Sequence, residues 1–183
     1  MTTTTPTETF ARLQGGATTA EALAFFDSLP AVTVEEMLGS WAGGEIDTGH
    51  AMNGLLGPMG WHGKRFDSAN EVHPLVMDRR GGGTFSLNPG LLPISTVLRF
   101  KGLLGNERVA RVARALTPAL GTRGPAARLR MLEYRGVVTA TMVYDRLPIH
   151  DVFRKVDENT VLGAMDLRGV PEAGIFFLRR ETA

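Results

Sequence analysis

A mainly β protein, folded as an antiparallel up-and-down barrel, is what this sequence predicts, and three observations carry the prediction. The 183 residues include 22 Gly and 10 Pro, a supply of turn formers that favours many short elements. After Leu129 the chain becomes a regular series of short β-rich runs separated by tight turns, with no alternation of strands and helices. Ahead of that series stands Gly39-Ser40-Trp41-Ala42-Gly43. A Trp between glycines suits the start of a sharply curved strand, because Gly bends without a Cβ clash and the indole fills one end of a barrel. Length and composition fit one domain with a sizeable core.

In chain order, residues 1–16 read as a frayed Thr-rich tail and 17–183 as the single barrel domain. Thr18 and Glu21 have capping-box spacing and predict a helix from about Thr19 to Ser28, ended by Pro30. Thr33 and Glu36 repeat that spacing and start a short helix, Val34 to Leu38, leading into Trp41. Strands are expected at Trp41–Ile46, Trp61–Phe66, Val72–Asp78, Thr84–Leu87 and Ile94–Phe100. Between Asn106 and Leu116 the period turns helical, with Val109, Val112, Ala113 and Leu116 on one side and Arg108, Arg111 and Arg114 on another. The final meander is Leu129–Tyr134, Val137–Tyr144, Ile149–Val156, Val161–Leu167 and Ile175–Arg180. Some ten strands in so short a chain favour closure, which removes exposed sheet edges.

Val34 to Gly43, Gly60 to Phe66 and His73-Pro74-Leu75 resemble the bacterial GxWxG-domain proteins. Leu129 to Gly136, Ala140 to Asp145, Pro148 to Asp157 and Thr160 to Asp166 resemble the domain of unknown function that accompanies that motif. The two halves, about 22–80 and 125–181, are joined by the loop and helix between them. A more distant likeness is to lipocalins and their calycin relatives, which open with a short helix and a G-x-W and close with a basic residue over the Trp. It implies that Gly39, Trp41 and Gly43, with Arg179 or Arg180, close one end of a lipocalin-like barrel.

The residues exclude several chemistries. There is no Cys, so disulfide scaffolds, thiolate nucleophiles and Cys-ligated metals drop out. The four His have no metal-ligand spacing. No cofactor is required, although a barrel needs one well-placed His, His150 or His62, to hold a haem. With neither a signal-like start nor a long apolar run, the chain is expected in the cytoplasm. Residues 99–130 carry a charge of +7 and the rest −6, which suits an anionic membrane surface or an acidic partner. No groove-reading motif accompanies that charge, so nucleic acid is not an expected partner.

Barrels of this size enclose a mostly apolar cavity, on the order of 300–1,000 Å³, for one small ligand. Expected to line it are Trp61, His62, Phe85, Met131, Met142, Tyr144, His150 and Arg154, with Met supplying an adaptable wall. Strand alternation sets His150, Val152 and Arg154 on one face and Asp151, Phe153 and Lys155 on the other. His150 and Arg154 are then the candidates for a ligand's polar head. Non-catalytic binding, carriage or sensing of a lipophilic molecule explains most features. The alternatives are a barrel enzyme transferring protons on a small hydrophobic acid (decarboxylase, isomerase or lyase) and an interaction module with no pocket ligand.

Overall fold

The computed structural model describes residues 4–50, 52–92 and 107–182. Among the described residues five α-helices, α1 (Pro6–Leu13), α2 (Thr19–Ser28), α3 (Val34–Met37), α4 (Leu56–Met59) and α5 (Glu107–Leu116), accompany ten strands. The strands are β1 (Gly39–Glu45), β2 (Trp61–Phe66), β3 (Val72–Asp78), β4 (Thr84–Leu87), β5 (Gly121–Thr122), β6 (Ala127–Tyr134), β7 (Val137–Tyr144), β8 (Ile149–Asp157), β9 (Thr160–Leu167) and β10 (Gly174–Arg180). The strand expected at Ile94–Phe100 lies outside the described residues.

Every pairing is antiparallel. Among the described residues eight strands close a barrel in the order β1-β2-β3-β6-β7-β8-β9-β10, with β10 returning to β1. β4 and β5 branch off β3 as a lateral extension. β3 is shared: Val72, at its start, faces Ala127 of β6, whereas Val76, Met77 and Asp78 pair with β4. The β3–β6 seam is therefore narrow, helped by Ala126 N–H donating to the Val72 carbonyl and Leu129 N–H to that of Ala69.

Two apolar layers flank the sheet. Trp41, Phe66, Leu129, Met142, Phe153 and Phe176 belong to the cluster inside the barrel. Outside, α1 and α2 lay Phe10, Leu13, Phe25 and Phe26 on Val152, Leu162, Ala164 and Ile175. The tail expected through residue 16 is thus structured from Pro6. Thr5 and Glu8 form a capping box with Pro6 in the first turn, and Phe10 packs edge-on against Phe177 at 5.2 Å.

The two glycines around Trp41 have separate tasks. Gly39 adopts φ +113, where a side chain would be strained. At Gly43 a Cβ would enter the Trp61 indole. Trp41 is 1% exposed and donates its indole N–H to the Met37 carbonyl at 2.8 Å. The Arg180 guanidinium lies 4.2 Å from the Trp41 ring centroid and donates to the carbonyls of Glu36, in the last turn of α3, and of Leu38, its C-cap. Arg179 points the other way, onto Phe10 and Phe177 outside the barrel.

β2 carries a bulge, with register shifts on both sides of Gly63. A Cβ at Gly63 would collide with the Trp41 carbonyl, a backbone atom that has no freedom to swing away, whereas one at Gly57 meets nothing. Gly63→Ala should therefore lower the unfolding free energy by about 3 kcal/mol, and Gly57→Ala should leave it within about 1 kcal/mol of wild type. Urea denaturation of both variants checks this; equal stability would show that the β1–β2 contact is not tight.

Candidate functional site

The end of the barrel opposite Trp41 holds a small cavity of about 50 Å³. Its walls come from strand ends that meet there: Glu45, Trp61, Tyr144, Asp151, Met165 and Phe176. The segment after β1 roofs it with His50, Met52, Asn53 and Leu56. The cavity is smaller than the expected volume, because Met and aromatic side chains fill much of the interior, and its floor is charged.

That floor is an ion pair. Lys64 Nζ lies 2.8 Å from Asp151 Oδ2, and both side chains are almost completely buried. Asp151 stands on β8 beside Met142 of β7 and Met165 of β9, whereas Lys64 is on β2, opposite Trp41 of β1. The pair consequently spans the interior. Lys64 also donates to the Pro74 carbonyl at 3.2 Å, and its ammonium is 5.1–5.8 Å from the ring centroids of Phe176, Trp61 and Tyr144, within cation–π range. The bulge at Gly63 makes this geometry, since it brings Trp61 and Lys64, three residues apart, to the same cavity.

Asp151 Oδ1 is buried and receives no hydrogen bond of ordinary geometry among the described residues. Tyr144 is held protonated far above its ordinary range: burial does most of this, and the adjacent Asp151 adds to it through its charge and by favouring the protonated hydroxyl. Burial likewise raises the Glu45 carboxyl, against the bond it accepts from Gly54 N–H at 2.9 Å and with help from the charge of Asp47. His50 is tied into the roof, its Nε2 2.9 Å from the Glu172 carbonyl and its Nδ1 3.1 Å from Met52 N–H. The arrangement offers a hydrogen-bond acceptor and a neutral hydroxyl at the bottom of an aromatic-walled cup.

Of the expected ligand contacts, Trp61 and Tyr144 line the cavity. Met142 is in the core next to Asp151. Phe85 belongs to a separate cluster on the β3–β4 hairpin, and Met131 is 42% exposed. His150 and Arg154 are on the outer face of β8: His150 is exposed, and Arg154 is buried beneath α2, donating to the Leu29 carbonyl with its guanidinium over Phe26. The alternation along β8 is as read, but Asp151 is on the inward side. Lys64 was missed because its phase in β2 depends on the bulge. The interrupted Gly-Lys within an otherwise strand-like run was the one signal available.

His62 faces away from the cavity. Its Nδ1 is 2.9 Å from Asp78 Oδ1 and its Nε2 2.8 Å from Glu181 Oε1, so the ring ties β2 to the end of β3 and to the residue after β10. Neither His62 nor His150 lines the cavity.

Comparison with known proteins decides the family. Residues 24–82 match the GXWXG protein model, and residues 125–180 match a domain of unknown function, DUF4334. A crystal structure of a protein from Thermomonospora curvata shares 32% identity over 97% of this chain and 99% of its own, with a TM-score of 0.73. The chain belongs to the GXWXG family. No curated protein matches it at a significant level. The GXWXG segment supplies Trp41, Trp61 and Lys64, and the DUF4334 segment supplies Tyr144, Asp151 and Arg180, so barrel and floor each need both matched segments.

The His62 clamp yields a pH prediction. Burial lowers the imidazole pKa, but Glu181 and then Asp78 outweigh it and the net shift is upward. A His with a raised folded pKa contributes stability that is full below its unfolded value, about 6.5, and is lost as pH rises through the folded value. His62→Phe should flatten that decline above about pH 6.5 in thermal melts. An unchanged slope in the variant would remove His62 as its source.

Proposed function

We propose that this barrel binds one small, largely apolar molecule whose polar end donates a hydrogen bond to Asp151. The observation that carries the reading is Asp151 Oδ1, a buried acceptor that no donor among the described residues meets at ordinary hydrogen-bond geometry, with the Tyr144 hydroxyl nearby, at the floor of an aromatic cavity. Leaving such a group unsatisfied costs about 1–3 kcal/mol, which an arriving hydroxyl or amine recovers. A neutral donor suits the floor better than a carboxylate, since the Lys64 charge is already taken up by Asp151. Met52, Leu56 and Met165 form the adaptable part of the wall, where flexible side chains can turn aside for a ligand larger than the closed cavity.

Tyr144 supports a second reading, proton transfer. A protonated hydroxyl beside a carboxylate can polarise a carbonyl while Asp151 takes a proton from the adjacent carbon. The electrons of that C–H bond become the enol double bond, and return of the proton at another carbon completes an isomerisation without a co-reactant.

Naphthol and its methyl ether separate these readings from a solid core. Wild type should bind the alcohol roughly tenfold more tightly than the ether, the range expected for a bond to a charged acceptor. The double variant Lys64→Met/Asp151→Leu, which removes both charges at similar volume, should fold and lose the preference. Binding of neither compound would overturn ligand carriage. For the second reading, deuterium uptake from heavy water by a β,γ-unsaturated cyclic ketone, abolished in Tyr144→Phe, is the expected result; no uptake by wild type would exclude it for that substrate class.

A further inference from the structure

Helix α5 presents its sides in the reverse of the usual sense. Val109, Val112 and Leu116 fall on one helical stripe, and they are 39%, 59% and 64% exposed. Arg114, on the opposite side, turns toward the protein. It lies so close over Gly60 that a Cβ there would come within 2.8 Å of the Arg114 Nε, and that Nε is buried without a hydrogen-bond partner. An amphipathic helix that turns a half-buried arginine toward the protein and exposes its apolar stripe is built for a surface outside the chain.

Charge identifies the surface. Alongside α5 runs a cleft of about 360 Å³ lined by Arg79, Arg80, Arg114, Gly81 and Gly82. Its one carboxylate, Asp78, is engaged by His62. Arg111, on the helix itself, and Arg123 are exposed. An exposed apolar stripe, with arginines on the far side of the helix and on the adjoining hairpin, matches the two layers of an anionic bilayer surface, acyl chains below and phosphates above. No helix among the described residues is long and apolar enough to cross a membrane, so the fit is to lying on the surface.

We propose that α5 docks this protein on an anionic phospholipid surface, with Val109, Val112 and Leu116 entering the acyl boundary and the Arg79–Arg80–Arg114 cleft receiving a headgroup phosphate. The position gives docking a purpose, and this clause rests on the ligand-binding reading. α5 packs on α4, whose Leu56 roofs the cavity, so a docked protein turns that end of the barrel toward the lipid in which an apolar ligand is dissolved.

The test is co-sedimentation of the full chain with phosphatidylcholine vesicles, with and without phosphatidylglycerol. Binding should require the anionic lipid and fall as salt is added. Val112→Ser/Leu116→Ser should abolish it, and Arg80→Ala and Arg111→Ala should each weaken it by about fivefold, with thermal midpoints unchanged because these side chains face solvent. Equal binding to both vesicle types, no binding, or variants that bind like wild type would overturn the proposal. So would competition by free glycerol phosphate, which would mark a soluble-anion site. A dimer in sedimentation velocity that Val112→Ser/Leu116→Ser disperses without lipid would instead assign the stripe to a second copy of the chain. Vesicle binding is read without a barrel ligand and naphthol binding without vesicles, so either reading can fail alone.

Discussion

The contact of Arg180 with Trp41 is the constraint on which the rest depends. It joins the last strand to the first and lets one guanidinium do two things: cover an indole and satisfy carbonyls at the end of α3. The indole N–H bonds back to Met37, so α3, β1 and β10 are fixed as one unit. With that end plugged, the cavity lies toward the other end, where the walls of the candidate site meet.

The polar floor is costly to build. Burying an ammonium and a carboxylate forfeits their hydration, and mutual attraction restores this only with good geometry and further partners. Lys64 has them in the Pro74 carbonyl and three aromatic faces. Asp151 is incompletely served, one of its oxygens receiving no hydrogen bond of ordinary geometry among the described residues. A pair of this kind is poor evidence for stability and better evidence for recognition, since apolar side chains would fill the same space with less loss.

Much of the fold was legible. Strand bounds followed alternation and turn residues, so that Trp61–Phe66, Val72–Asp78, Thr84–Leu87 and Val137–Tyr144 coincide in sequence and structure. The site was less so. On β8 the inward Phe153 and the outward Val152 and Val156 are equally apolar, because α1 and α2 cover the outside of the sheet. Alternation therefore separated two faces without telling which was inside, and Arg154 was placed in the cavity where Asp151 belongs. That cover also explains the first helix: Thr5 and Glu8 have the same spacing as the two capping boxes that were read, but its anchors, Phe10 and Leu13, need the outer sheet face to pack on. The bulge at Gly63 is set by the close approach of β1, a tertiary fact.

The uneven stitching around the barrel has a kinetic consequence. Most neighbouring strands are adjacent in sequence, so most closures are local, and β6 with β7 gains a full ladder from Ala127–Tyr144 to Tyr134–Val137. Among the described residues β3 and β6 meet through one residue pair, Val72 and Ala127, and two adjoining backbone hydrogen bonds, with β4, α5 and β5 intervening in the chain. Closing that loop sacrifices much chain entropy and returns few hydrogen bonds. The β3–β6 edge, the least stitched of the barrel's seams among the described residues, is the one expected to part first.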